Sequence, residues 1–104
     1  MKENINKIAN FYKVLSDPVR VEILKTLAHG PLCVCQLLEY FTITQPTLSY
    51  HLKLMEKQNI LKSKKEGTWV YYEMNHEMIE VVFNDFKDLI YKKENQLITT
   101  ACTN

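Results

Sequence analysis

Ile5, Ile8, Phe11 or Tyr12, and Leu15 recur at helical spacing, which predicts an amphipathic helix over about residues 4–15. Asp17-Pro18 predicts the next helix start, because the carboxylate caps free N–H groups and proline at the first position loses no hydrogen bond. Val19, Ile23, Leu24 and Leu27 are its buried stripe, and His29-Gly30-Pro31 ends it. A short third helix carries Val34, Leu37, Leu38 and Phe41 on one face. Thr42-Ile43-Thr44 makes a turn, with Thr44 placed to cap a fourth helix that tolerates Pro46 in its first turn. That helix buries Leu48, Leu52 and Met55, and Asn59 is suited to cap its end. The period then shortens to two. Ile60–Lys65 and Thr68–Met74, joined through Glu66-Gly67, predict a hairpin in which Val70, Tyr72 and Met74 alternate with Trp69, Tyr71 and Glu73. From His76 a broad helical stripe of Ile79, Val82, Phe83, Phe86, Leu89 and Ile90 runs to about Asn95.

A short helix, a tight turn, a helix with a polar outer face and a hairpin form a winged helix-turn-helix. The fold class is mainly α with a small β-hairpin. The first and last helices flank the motif. The last has more apolar surface than one small core covers, which predicts a homodimer formed through the first and last helices. Residues 1–96 are expected to form one winged helix-turn-helix DNA-binding domain, with 97–104 as a flexible C-terminal tail.

Length agrees with one domain: 104 residues, 46% of them hydrophobic, hold one core and little more. The net charge of +1 conceals an uneven distribution. Residues 45–65 carry Lys53, Lys57, Lys62, Lys64 and Lys65 against a single acid, Glu56, while the remainder is mildly acidic. A basic centre in an acidic frame marks a face for a polyanion. On the fourth helix, Gln45, Thr47, Ser49 and Tyr50 suit base, sugar or phosphate contacts, and Lys53 and Lys57 suit phosphates. Lys64 and Lys65 extend the phosphate contacts to the hairpin tip. The same residues would also make a soluble helix face; the preceding turn and following hairpin favour DNA. His51 borders the buried side and is expected to be packed and hydrogen-bonded rather than a ligand.

The N-terminus lacks a signal-peptide pattern and no apolar run approaches a membrane span, so a cytoplasmic protein with no membrane partner is expected. Three cysteines, with Cys33 and Cys35 one residue apart and Cys102 in the tail, do not make a disulfide framework and direct attention to metal or redox chemistry.

Asp17-Pro18-Val19-Arg20-Val21-Glu22-Ile23-Leu24, Leu32-Cys33-Val34-Cys35-Gln36-Leu37, Thr44-Gln45-Pro46-Thr47-Leu48-Ser49-Tyr50-His51-Leu52-Lys53 and Gly67-Thr68-Trp69-Val70-Tyr71-Tyr72 resemble, in that order, the ArsR/SmtB family of metal-responsive repressors. The resemblance spans about residues 5–95 and is nearest to the arsenical-resistance operon repressor branch. It implies a transcriptional repressor, not an enzyme, that binds double-stranded operator DNA with an inverted repeat as a homodimer and is released by its ion.

In that family the cysteine pair supplies thiolates for As(III) or Sb(III) and, in relatives, Cd(II) or Pb(II). The resemblance transfers this role to Cys33 and Cys35. Thiophilic ions select thiolates, and helix N-termini in general favour the thiolate form. On a regular helix, residues two apart point about 200° from each other, so two sulfurs sharing an ion would have to unwind the first turn. No cofactor is required for folding. The third ligand departs from the family pattern: Leu37 and Leu38 stand where some relatives have another cysteine, leaving Cys102, His29 or no third protein ligand. Four-thiolate cadmium and lead sensors use N-terminal cysteines, and residues 1–32 contain none. Zinc sensors pair Asp with His along the last helix, whereas Asp85 and Asp88 have no histidine beside them and His76 is alone.

Three other functions compete. A redox-responsive or Cd/Pb-responsive repressor would use the same cysteine pair. A thiol oxidoreductase would need C-x-x-C and a βαβ pattern, both lacking. A winged-helix adaptor would use Trp69 and Tyr71 without DNA, against the lysine cluster.

Overall fold

The structure, a computed structural model, describes residues 2–91. It contains α1 (Lys2–Val14), α2 (Pro18–Leu27), β1 (Leu32–Cys33), α3 (Val34–Leu38), α4 (Gln45–Lys57), β2 (Leu61–Glu66), β3 (Trp69–Met74) and α5 (His76–Ile90). The expected continuation of the last helix to Asn95, the tail 97–104 and Cys102 lie outside the described residues.

Side-chain caps set the starts of three helices. Asp17 accepts the Val19 N–H at 2.8 Å, with Pro18 opening α2 behind it. Thr44 Oγ1 accepts the Thr47 N–H at 3.3 Å to start α4, and Asn75 accepts the Met78 N–H at 3.2 Å to start α5. Such caps each contribute about 1 kcal/mol. The end of α4 is equally defined. Asn59 takes a positive φ of 61°, its N–H donates to Glu56, and the Ile60 N–H donates to Met55. This is a Schellman arrangement, with asparagine in the left-handed position and Met55 and Ile60 both fully buried beside it. The expected cap at Asn59 is therefore present.

Among the described residues, thirteen buried ones from every helix, the wing and the link before it form the core: Ile8, Phe11 and Val14 of α1, Ile23 and Leu27 of α2, Leu37 of α3, Leu48, Leu52 and Met55 of α4, then Ile60, Leu61, Tyr72 and Val82. Phe11 rather than Tyr12 faces inward. Phe41 packs against the core from beyond the end of α3, which is shorter than the apolar spacing implied.

The expected hairpin forms, with Leu61 opposite Met74 and Glu66 opposite Trp69. Gly67 has φ of 64° and Thr68 does not share its sign, the pattern of a type II′ turn. A third strand was not anticipated. Leu32 and Cys33 pair antiparallel with Tyr72 and Tyr71, so the sheet order is β1-β3-β2 and β3 is its central strand. A two-residue strand is too short to show a period of two. No described helix is long and apolar enough to cross a membrane.

Candidate nucleic-acid interface and thiol pair

On α4 the buried residues Leu48, His51, Leu52 and Met55 occupy one arc of the helix, about 100° wide. The rest of the circumference carries Gln45, Thr47, Tyr50, Lys53 and Lys57 in the open, with Ser49 half-buried among them. All six residues expected to face DNA thus lie outside the buried arc. Thr47 also supports the helix start, since its hydroxyl accepts from Thr44 at 3.0 Å, which leaves its own proton free to donate outward. Tyr50 is 61% exposed, and its ring lies edge-on to His51 at 5.6 Å.

His51 is buried, as expected, and Nδ1 accepts from Arg20 Nε at 3.0 Å. The second nitrogen therefore carries the proton when the ring is neutral. Arg20 was not singled out from sequence. Its helical position was visible, but its reach to a residue 31 positions away was not.

The wing carries further basic side chains. Lys62, Lys64 and Lys65 are exposed on β2, and Trp69 is 51% exposed at the tip. Lys64 Nζ lies 3.6 Å from the Glu66 carboxylate, both strongly exposed, a pairing too solvated to hold the lysine against a phosphate. Lys64→Ala with Lys65→Ala is expected to weaken binding to specific and non-specific duplexes alike. If both lysines neutralise phosphates, the slope of log affinity against log salt should shrink by about 1.8; an unaltered slope would remove the wing from the interface.

Glu56, the single acid of the basic stretch, is turned toward the wing. Ser63 Oγ donates to its Oε2 at 2.6 Å, tying α4 to β2. Tyr72, paired with Ser63 in the sheet, has its hydroxyl pushed above the ordinary tyrosine value, first by burial and second by the Glu56 charge. The folded protein then holds that proton more tightly than the unfolded chain. Stability from this source is present below about pH 10, the unfolded value, and is lost as pH rises through the folded value. Urea unfolding of Tyr72→Phe against wild type should accordingly show a difference that shifts in favour of the variant above about pH 10; a difference constant with pH would refute the assignment.

The two cysteines are placed differently from each other. Cys33 is the last residue of β1 and the N-cap of α3, extended at φ −83° and ψ 167°, and 5% exposed. Cys35 is exposed in the first turn of α3. The expectation of two thiols on a regular helix is corrected here: one sits in the sheet, because Leu32 and Cys33 complete the edge of β3 before the helix begins. The Cys33 N–H donates to Gln36 Oε1 at 3.0 Å, which secures the helix start. His29 lies just past α2 and lines a cleft of about 300 Å³ with Glu22, Lys25 and Tyr40. Among the described residues no three of His, Cys, Asp or Glu are grouped to hold an ion, so His29 does not complete a set with the two thiols.

A short helix, a tight turn, an exposed reading helix and a basic wing make this a winged helix-turn-helix of the DNA-binding regulator class. Residues 17–63 match the model of the arsR family of bacterial regulatory proteins. The chain belongs to the arsR family. It is 42% identical over 84 residues to the arsenical resistance operon repressor of Staphylococcus xylosus, covering 81% of this chain and 80% of that one. It is 36% identical over 95 residues to the arsenical resistance operon repressor of Bacillus subtilis strain 168, covering 90% of both. Among solved structures it is similar to the transcriptional repressor PagR of Bacillus anthracis, with a TM-score of 0.69 at 27% identity over 81% of this chain and 97% of the other. The family and these relatives are transcriptional regulators, not enzymes, and the resemblance to the arsenical branch holds.

Proposed function

We propose that this chain is a cytoplasmic homodimeric repressor that holds an inverted-repeat operator and releases it when As(III) or Sb(III) binds Cys33 and Cys35. The observation that carries the proposal is where the pair sits. Cys33 closes the strand that edges the wing, and Cys35 opens the helix that precedes the reader. The arsenical resistance operon repressors among the relatives support the choice of ion.

The donor set fits a thiophilic ion, since both groups are thiols and no disulfide joins them. Cys33 is nevertheless enclosed and Cys35 open. Sharing an ion requires Cys33 to give up part of its burial, its bond to Gln36 or its pairing with Tyr71. Each change moves β1 or α3, and both adjoin DNA-facing elements. An ion that prefers the shifted form lowers operator affinity, and operator binding lowers ion affinity equally.

DNA contact is assigned to Gln45, Thr47, Ser49 and Tyr50 toward bases, sugar or phosphate and to Lys53, Lys57, Lys64 and Lys65 toward phosphates. The dimer face is α1 with α5. Phe11 meets Phe83 edge-on at 6.2 Å and Tyr12 meets Phe86 at 5.5 Å, so the two helices form one layer. Its outer side exposes Ile5, Phe83, Phe86, Leu89 and Ile90, an apolar surface suited to a second copy.

An operator complex titrated with arsenite, antimonite, cadmium and peroxide tests the proposal. Release by arsenite and antimonite is expected. Release by peroxide alone would support the redox-responsive alternative, and release by cadmium alone the Cd/Pb-responsive one. X-ray absorption of the arsenite-loaded protein counts the sulfurs: three would bring in Cys102, and two would leave it out.

A further inference from the structure

We infer that Arg20 is a positioning residue that sets the recognition helix against the dimer layer and thereby fixes the spacing between the two half-sites the repressor accepts. This rests on the paired, DNA-reading form proposed above. Arg20 donates from Nε to His51 Nδ1 at 3.0 Å and from Nη1 to the Val14 carbonyl at 3.1 Å. One planar side chain on α2 thus holds both α4 and the end of α1.

Each bond has a reason to matter. Val14 is the last residue of α1, and its carbonyl is among those that a helix end leaves without an intrahelical partner. A guanidinium there also opposes the negative end of the helix. His51 is only 8% exposed, so its Nδ1 depends on a protein donor. The fork is rigid, and rotating α4 relative to α1 breaks one bond or the other. Arg20 makes no ion pair among the described residues, so these two acceptors define its orientation.

The consequence is geometric. In a dimer formed through α1 and α5, the distance and angle between the two recognition helices follow from how each α4 is set on its own α1. Operators read by paired helices repeat at a fixed interval of the duplex. A change of setting in each protomer is doubled by the two-fold axis.

The test uses the full chain and a duplex carrying the inverted repeat that the wild type enriches from a random-sequence pool, with versions one base pair shorter and longer between the halves. Arg20→Met and His51→Leu are expected to bind the parent duplex about tenfold more weakly, the cost of one hydrogen bond to a charged group. They should also lose much of the wild type's preference among spacings. Their dimerisation constant and the slope of affinity with salt should remain those of the wild type. His51→Asn, which retains an acceptor near the Nδ1 position, should stay near wild-type affinity. This pair of His51 variants carries the test if Arg20→Met does not fold. Leucine performing as well as asparagine would reduce His51 to packing and overturn the inference. A slope smaller by about 0.9 in Arg20→Met would make Arg20 a phosphate contact and overturn it too. A wild type that dimerises but enriches no repeat would overturn the paired reading and this inference together.

Discussion

Cys35→Ser is expected to bind operator as the wild type does and to remain bound at arsenite concentrations that release the wild type. The wild type should lose about 5- to 150-fold in affinity, the range of ordinary allosteric couplings, and the variant none. Cys35 is exposed, so serine there disturbs neither core nor sheet. Cys33→Ser should be equally unresponsive, but it places a hydroxyl in a buried position and is expected to lose about 1–3 kcal/mol of stability if that hydroxyl finds no partner. Cys33→Ala separates the two effects, since alanine removes the sulfur without introducing a polar group. Electrophoretic or fluorescence titration of the operator reads the response, and urea unfolding reads the stability. A Cys33→Ser/Cys35→Ser protein that arsenite still releases would end the assignment of the site.

The second large effect is on assembly. Ile5 and Ile90 are 50% and 56% exposed on the outer side of the α1–α5 layer. In an isolated protomer their replacement by glutamate costs little, because the side chains already meet water. In a dimer built on that layer the same change buries like charges against an apolar surface. Ile5→Glu/Ile90→Glu should therefore sediment as a folded monomer. Its operator affinity should fall by about 10²- to 10⁴-fold, because the second half-site is no longer bound at high effective concentration. Circular dichroism and thermal unfolding check that the protomer is intact. A variant that remains dimeric would place the interface elsewhere.

Much of this architecture was legible because local signals were strong and mutually consistent. Asp17, Pro18, Thr44 and Asn59 mark helix boundaries by their own chemistry, and all four act as expected in the structure. The change of period after Asn59 disclosed the hairpin, and Gly67 its turn. Two features were hidden for one physical reason. β1 is defined by pairing with residues about 40 positions later in the chain, not by any property of Leu32 or Cys33. Arg20 likewise finds its partner across the fold. Long-range hydrogen bonds leave no periodic trace. The basic face was readable as composition, but the inward use of Glu56 was not, because a carboxylate on a helix looks the same whether it meets water or Ser63.

β1 bears on how little arsenic such a sensor would need. Two residues are the smallest piece of sheet a protein can surrender, and the wing keeps six facing pairs between β2 and β3 when they go. Under the proposed switch, the free energy drawn from ion binding is that of a local opening, far below that of global unfolding. The dose at which the operon switches is then set by a strand edge rather than by the thiols alone. A β-branched residue in place of Leu32 would raise the dose, and a glycine would lower it. In that switch the detection limit would be adjustable at Leu32, which is neither a proposed ligand nor a proposed DNA contact.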